Sequence, residues 1–311
     1  MNKFRSFSNL TIVITYLLIF IGGLVRVSGA GMGCPDWPKC FDRWIPPTSI
    51  DQLPDHIDPA LFNIVLAWIE YCNRLFGVFV GLFITITMFM ALKMYNSNKR
   101  IKFSVILAFF LTLIQGWLGS VLVETVLNPF TITLHLLIAL IIVLLLIYSS
   151  QISFYSDFPN SEKKCKYDPN CKNLFFILGC VLLIEIILGT EIRGGLEMIR
   201  KENPIVNSQF LLNMLGPFKY THTILGIIIA LITSFLWYKL VKKSYNPSKI
   251  IITTSSLIVF LVYAQIFLGE MLVFLDVIPL VQLFHLWLAS IILGLVMIQY
   301  LAWEQSQLTN E

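Results

Sequence analysis

Eight largely uncharged apolar stretches of roughly 19 to 29 residues, at about 9-29, 64-92, 103-123, 131-150, 174-192, 218-238, 250-270 and 279-301, leave this chain few folds to adopt. Each is long enough for a helix to cross the ~30 Å hydrocarbon core of a bilayer. Lipid offers no partners to backbone N–H and C=O groups, so runs of this length are expected as transmembrane α-helices. Composition agrees. Hydrophobic residues make up 57% of the chain and charged residues 13%, and the mean hydropathy is +0.79, more apolar than a soluble core of this size can hide. The first stretch follows Lys3 and Arg5 in the manner of a signal peptide, but its length and Arg26 near its end favour a retained span.

Basic residues set the orientation. The N-terminus and the second, fourth and sixth connections hold 14 of the 22 Lys and Arg, among them Lys99, Arg100, Lys163, Lys164, Lys242 and Lys243. The first connection instead carries Asp36, Asp42, Asp51, Asp55 and Asp58. The positive-inside rule therefore puts both termini in the cytoplasm and the odd connections outside a cytoplasmic (inner) membrane. The net charge of +4 is explained by this one-sided placement. Nucleic-acid binding is set aside, and membrane lipid is the partner that composition implies.

The two halves of the chain resemble each other. Gln115-Gly-Trp-Leu-Gly119 matches Gln265-Ile-Phe-Leu-Gly269, and twenty residues after each Gln stands a histidine, His135 and His285. Asn73-Arg-Leu-Phe-Gly77 matches His222-Thr-Ile-Leu-Gly226, and Gly22-Gly-Leu-Val-Arg26 resembles Gly189-Thr-Glu-Ile-Arg193. The expected fold is an all-α membrane protein with eight transmembrane helices as two tandem four-helix bundles. Because each repeat has an even number of spans, a pseudo-two-fold axis along the membrane normal should relate them. The expected domains are 1-155, a cytoplasmic linker at 156-172, and 173-311.

His135, His222, His285 and Asn73 all fall in the outer half of their spans. His222 and His285 come from two spans of one bundle at similar depth, the arrangement by which a four-helix bundle grips haem iron through two imidazoles. The competing reading, a histidine that only hydrogen-bonds between helices, suits a single site better than a matched pair. In the first half Asn73 stands where the second has an imidazole, and an amide is a poor iron ligand. An iron held by His135 would keep a position open. Glu70, Asn73 and Arg74 share one helix face. A carboxylate inside the membrane is costly, so Glu70 is either an acid, base or charge-stabilising group beside a substrate, or half of a buried ion pair with Arg74. Arg26, Arg74 and Arg193 either bind haem propionates through their guanidinium forks or reach to the interface as snorkelling side chains. His56, in the first outer loop, is expected to be solvated.

Cys34 and Cys40 lie in the first outer loop, an oxidising location, and are expected to form a disulfide that is structural or mildly redox-active. Their spacing does not match Cys-x-x-Cys patterns. Cys165 and Cys171 are read as free thiols on the reducing side, and Cys72 and Cys180 as packing residues.

With these residues assembled, the chain resembles the haem A synthase family over nearly its whole length. The carriers are Gly31-Met-Gly-Cys-Pro-Asp-Trp-Pro-Lys-Cys40, Glu70-Tyr-Cys-Asn-Arg74, and the positions of His135, His222 and His285. The resemblance implies two four-helix bundles and oxidation of the C8 methyl of haem O to the formyl group of haem A by two hydroxylations. It implies a haem b cofactor between His222 and His285, and haem O in the first half against His135, Asn73 and Arg74. Glu70 would be catalytic, and Cys34 and Cys40 would lie near the pocket. Haem O synthase and cytochrome oxidase assembly factors are the protein partners such an enzyme implies. This sequence departs from the family at Asn73, where Glu-x-x-His-Arg is usual, and at Thr223, which replaces a common Arg. Either the first half works with one imidazole or it has lost catalysis. Two other functions compete: a non-catalytic haem b electron carrier, and a transporter, which would not explain histidines at one depth.

Overall fold

The computed structural model describes residues 3–159, 161, 166–202, 210, 213–275 and 277–308. Among these, eight helices are long and apolar enough to cross a membrane. They are α1 (Lys3–Val27), α2 (Ile64–Met94), α3 (Lys99–Glu124), α4 (Pro129–Asp157), α5 (Cys171–Glu202), α6 (Phe218–Trp237), α7 (Lys249–Phe274) and α8 (Pro279–Leu308). α6 ends in a π-helical turn at Tyr238–Lys242. Several helices outrun the apolar stretches that announce them. The 29 residues of α4 span about 44 Å at 1.5 Å each, enough to reach through the headgroup region as well as the hydrocarbon.

Local chemistry fixes the helix starts. Asn63 accepts from the N–H groups of Val65 and Leu66, Asn98 from Arg100 and Ile101, and Ser248 from Ile251, each meeting donors that the first turn leaves free. Pro129 and Pro279 open α4 and α8, where a missing N–H costs nothing.

The chain divides into two compact units, 1–146 and 147–311, so the last turns of α4 belong with the second. In the first, α1 packs on α2 and α2 on α3. Its core gathers Val80, Ile84, Ala108, Ile142 and Leu146, and Thr11 and Thr87 share a buried interhelical hydrogen bond of 2.9 Å, the kind of polar link that joins helices in lipid. In the second, α5 packs on α6 and α8, α6 on α7 and α7 on α8, which closes a four-helix bundle. Gln299 donates to Ser255 at 2.6 Å between α8 and α7. At the polar end of this bundle Lys239 pairs with Asp168 at 2.8 Å and holds its carboxyl below the usual carboxylate range.

The sequence repeat reappears in backbone detail. Thr125 N–H donates to Val121 O and Leu127 N–H to Leu122 O after α3, while Leu275 N–H donates to Met271 O and Val277 N–H to Leu272 O after α7. Leu127 and Val277 both carry a positive φ, 59° and 58°.

Cys72 and Cys180, expected as packing residues, are exposed on α2 and α5. The outward faces of these helices meet lipid, where a small thiol is as well accommodated as in a protein core. Cys171 is free and buried; Cys165 lies outside the described residues.

Candidate functional site

In the second unit, His222 is the fifth residue of α6 and His285 the seventh of α8. Their ring centroids are 6.2 Å apart at an interplanar angle of 64°. A metal atom bonded at about 2 Å to one nitrogen of each ring, on opposite sides, requires a centroid separation of about 6 Å. The Nδ1 atoms of both rings are buried and make no aligned hydrogen bond among the described residues, but that of His222 lies 3.1 Å from a carboxylate oxygen of Glu185. Neighbouring helices approach through glycine: a Cβ on Gly189 would lie 3.4 Å from His222 Cε1, and one on Gly269 3.5 Å from His285 Cε1. The donor set and the spacing fit a haem held by two imidazoles.

Gln265 Nε2 donates to the backbone carbonyl of His285 at 2.6 Å, and Gln115 Nε2 to that of His135 at 2.7 Å. The twenty-residue spacing seen in the sequence is thus one hydrogen bond made in each unit, which fixes the helix segment bearing the histidine. In the first unit, His135 Nδ1 and Asn73 Oδ1 are both buried and have no hydrogen-bond partner among the described residues. A Cβ on Gly22 would lie 4.0 Å from Asn73 Oδ1, as one on Gly189 would lie beside His222. Asn73 therefore occupies the place of His222 with respect to its neighbouring helix as well as in the sequence alignment.

Glu70 is 4% exposed and both its oxygens are engaged. Oε2 accepts from the N–H of Cys34 at 2.8 Å, and Oε1 accepts from Arg74 Nη2. Arg74 Nη1 donates to the carbonyls of Asp36 and Lys39, each at 2.8 Å. Cys34 and Cys40 are disulfide-bonded, with Cα atoms 4.7 Å apart. Asp36 closes the loop by accepting from Phe41 N–H at 2.6 Å and Asp42 N–H at 3.0 Å. The bridged loop is thereby bolted onto α2 through the Glu70–Arg74 pair, beneath a small core of Cys34, Cys40, Phe41 and Ala67.

Gly33 makes this docking possible. A Cβ there would overlap the carbonyl of Leu66 and come within 2.8 Å of Ala67 N, both backbone atoms of α2 that cannot move aside. Gly33→Ala is expected to lift the loop and speed opening of the disulfide by a membrane-impermeant phosphine several-fold. An unchanged rate would show that the loop holds without that close approach.

The other sequence candidates are placed as follows. Arg193 donates through Nε to Glu197 at 2.8 Å and through Nη1 to Gln282 at 2.7 Å. Arg26 has its Nε buried near the end of α1. His56 is exposed, with Nε2 3.1 Å from Asp42. Sequence reasoning missed Glu185, whose Oε1 lies 3.1 Å from His222 Nδ1. It also missed Gly33 and the carbonyls that hold Arg74.

The features together define a multi-pass membrane protein with two imidazoles brought together in one unit and a carboxylate held under a disulfide-bridged loop in the other. The chain belongs to the COX15-CtaA family of cytochrome oxidase assembly proteins, which it matches over residues 5–297. It is similar to the heme A synthase of Shewanella oneidensis, 36% identical over 149 residues, covering 45% of this chain and 43% of that protein. It is also similar to those of Geobacillus kaustophilus (28% identical; 56% and 50% covered) and Pelagibacter ubique (28%; 63% of each). The matches thus span 43% to 63% of the relatives' own length.

Proposed function

We propose that this protein is a haem A synthase of the cytoplasmic membrane, which oxidises the C8 methyl of haem O to a formyl group by successive hydroxylations. The reading rests on the family membership and on one observation above others, the His222–His285 pair at 6.2 Å in the second unit, where the first unit has His135 and Asn73 at the corresponding positions. The second unit (173-311 in the sequence division) is assigned haem b and the first (1-155) haem O. The one-sided distribution of Lys and Arg supports a topology with both termini in the cytoplasm and the disulfide loop outside.

A bound haem b supplies one-electron transfer. The protein's own residues do the rest. His135 positions the substrate in the first unit, its helix held by Gln115. Glu70 would stabilise positive charge beside the methyl group or move a proton at a carboxylate oxygen as that group is oxidised, which requires that oxygen to exchange its partner for substrate. Arg74 keeps the carboxylate in position and, through the carbonyls of Asp36 and Lys39, keeps the loop closed over it. Haem O synthase as supplier of substrate and cytochrome oxidase assembly factors as recipients of product follow from the same reading.

Pigment extraction from cells that make this protein together with a source of haem O is the test. Haem A in the extract supports the synthase. Purified protein carrying only haem b, with no haem A formed, overturns it in favour of an electron carrier. His222→Ala and His285→Ala are each expected to abolish the low-spin b-type spectrum of the purified protein, and a retained spectrum would remove the pair from the cofactor site.

A further inference from the structure

We propose that Glu185 is the positioning residue for His222, accepting the hydrogen bond of its Nδ1–H, presenting its other nitrogen to the iron, and lowering the haem's midpoint potential. This rests on the reading that His222 and His285 hold haem b.

Glu185 lies in the middle of α5, where a carboxylate is expensive in lipid and needs a partner. Among the described residues its only ion-pair partner is His222, at 3.1 Å, and the two side chains are 16% and 26% exposed. Its second oxygen, Oε2, is buried with no hydrogen-bond partner among the described residues. The surroundings are cut to admit it. A Cβ on Gly226, one turn beyond His222, would stand 3.5 Å from Glu185 Oε1, and Gly189, one turn beyond Glu185, faces the edge of the His222 ring.

The first unit supplies an internal comparison. Aligning Gly22 with Gly189 sets Leu18 opposite Glu185, and Leu18 packs in the hydrophobic core of its unit. The position aligned with His222 is Asn73. The carboxylate is therefore present in the unit that has the second imidazole and absent in the one that lacks it.

An imidazole that binds metal through one nitrogen presents the other as a donor, and a carboxylate acceptor fixes the tautomer and ring orientation while raising the basicity of the ligating nitrogen. A more basic ligand and a nearby negative charge both favour ferric over ferrous iron. The two imidazoles would then be unequal, since a carboxylate stands 3.1 Å from His222 Nδ1 and, among the described residues, none stands within ion-pair distance of His285.

The test compares full-length wild type with Glu185→Gln, Glu185→Asp and His222→Ala, each purified with haem, by optical spectrum and redox titration at one fixed pH. The expected result is that Glu185→Gln keeps a low-spin b-type spectrum and titrates at a more positive potential, with Glu185→Asp closer to wild type. A Glu185→Gln protein with bound haem and an unshifted potential overturns the proposal. So does loss of haem from both Glu185 variants while helix content is retained, because the residue would then serve shape rather than the hydrogen bond. If Glu185→Gln alone loses haem, a wild-type-like potential in Glu185→Asp supports the proposal and a potential shifted positive overturns it. Failure of the underlying reading looks different: His222→Ala would retain the wild-type spectrum.

Discussion

Glu70→Gln is expected to lower haem A formation by about 10²- to 10⁴-fold, the range that a positioned acid or base contributes, while the haem b spectrum of the second unit is unchanged. The substitution is nearly isosteric. A Gln oxygen still accepts from Cys34 N–H, so the loop keeps that tie to α2. What disappears is the negative charge. Arg74, 15% exposed, then loses its only carboxylate partner among the described residues. Leaving one member of a buried pair uncompensated costs about 3–5 kcal/mol, so a purely structural role predicts a lifted loop. The two carbonyls that Arg74 also holds, those of Asp36 and Lys39, limit that effect. The two roles separate by measurement. If Glu70 is catalytic, haem A formation falls by that factor while the disulfide of the variant stays as slow to reduce as in wild type. Loss of haem A together with fast reduction, reproduced by Arg74→Gln, would assign Glu70 to the loop instead. A variant that makes haem A at the normal rate ends the catalytic assignment.

That experiment is framed by how the site is built. The disulfide loop, Glu70 and Arg74 are one hydrogen-bonded assembly, so the motif around Cys34 and Cys40 and the motif around Glu70 are two sides of a single device. Spans and repeats were legible in the sequence because hydropathy has a length scale set by the bilayer and because the offset between Gln115 and Gln265 equals that between His135 and His285. The loop's attachment was not legible. Arg74 binds main-chain carbonyls, which every residue has, and Gly33 is required by a close approach to Leu66 some thirty residues away. Glu185 is a different case. The argument that singled out Glu70, a carboxylate inside a span, applies to it equally, but its partner is on the next helix rather than one turn along the same one. A local pattern of i and i+4 drew attention to Glu70 and Arg74. No such pattern exists for Glu185 and His222.

The remaining asymmetry leads to the second large effect. Asn73→His is expected to raise the haem retained by purified protein from about one to about two per chain, both low-spin, by giving the first unit a second axial imidazole. The wild-type first unit offers one imidazole, His135, and a substrate bound through a single iron bond is free to leave during purification. Space for the ring exists, because Gly22 faces Asn73 as Gly189 faces His222. The exchange also removes an amide oxygen that is buried without a partner among the described residues, a burden of about 1–3 kcal/mol, so the variant should be no less stable. His135→Ala in the same background should return the content to one, with the second-unit spectrum intact. Haem A formation is expected to continue in Asn73→His, since Glu70 and Arg74 are untouched and the family's usual motif carries His at this position. Unchanged haem content would mean that residue 73 does not face the substrate iron, and the two-site reading of the first unit would have to be rebuilt around His135 alone. If content rises but the new haem holds a more positive potential than the second-unit haem, Leu18→Glu added to Asn73→His supplies the missing carboxylate, and the potential should then fall toward that of the second unit.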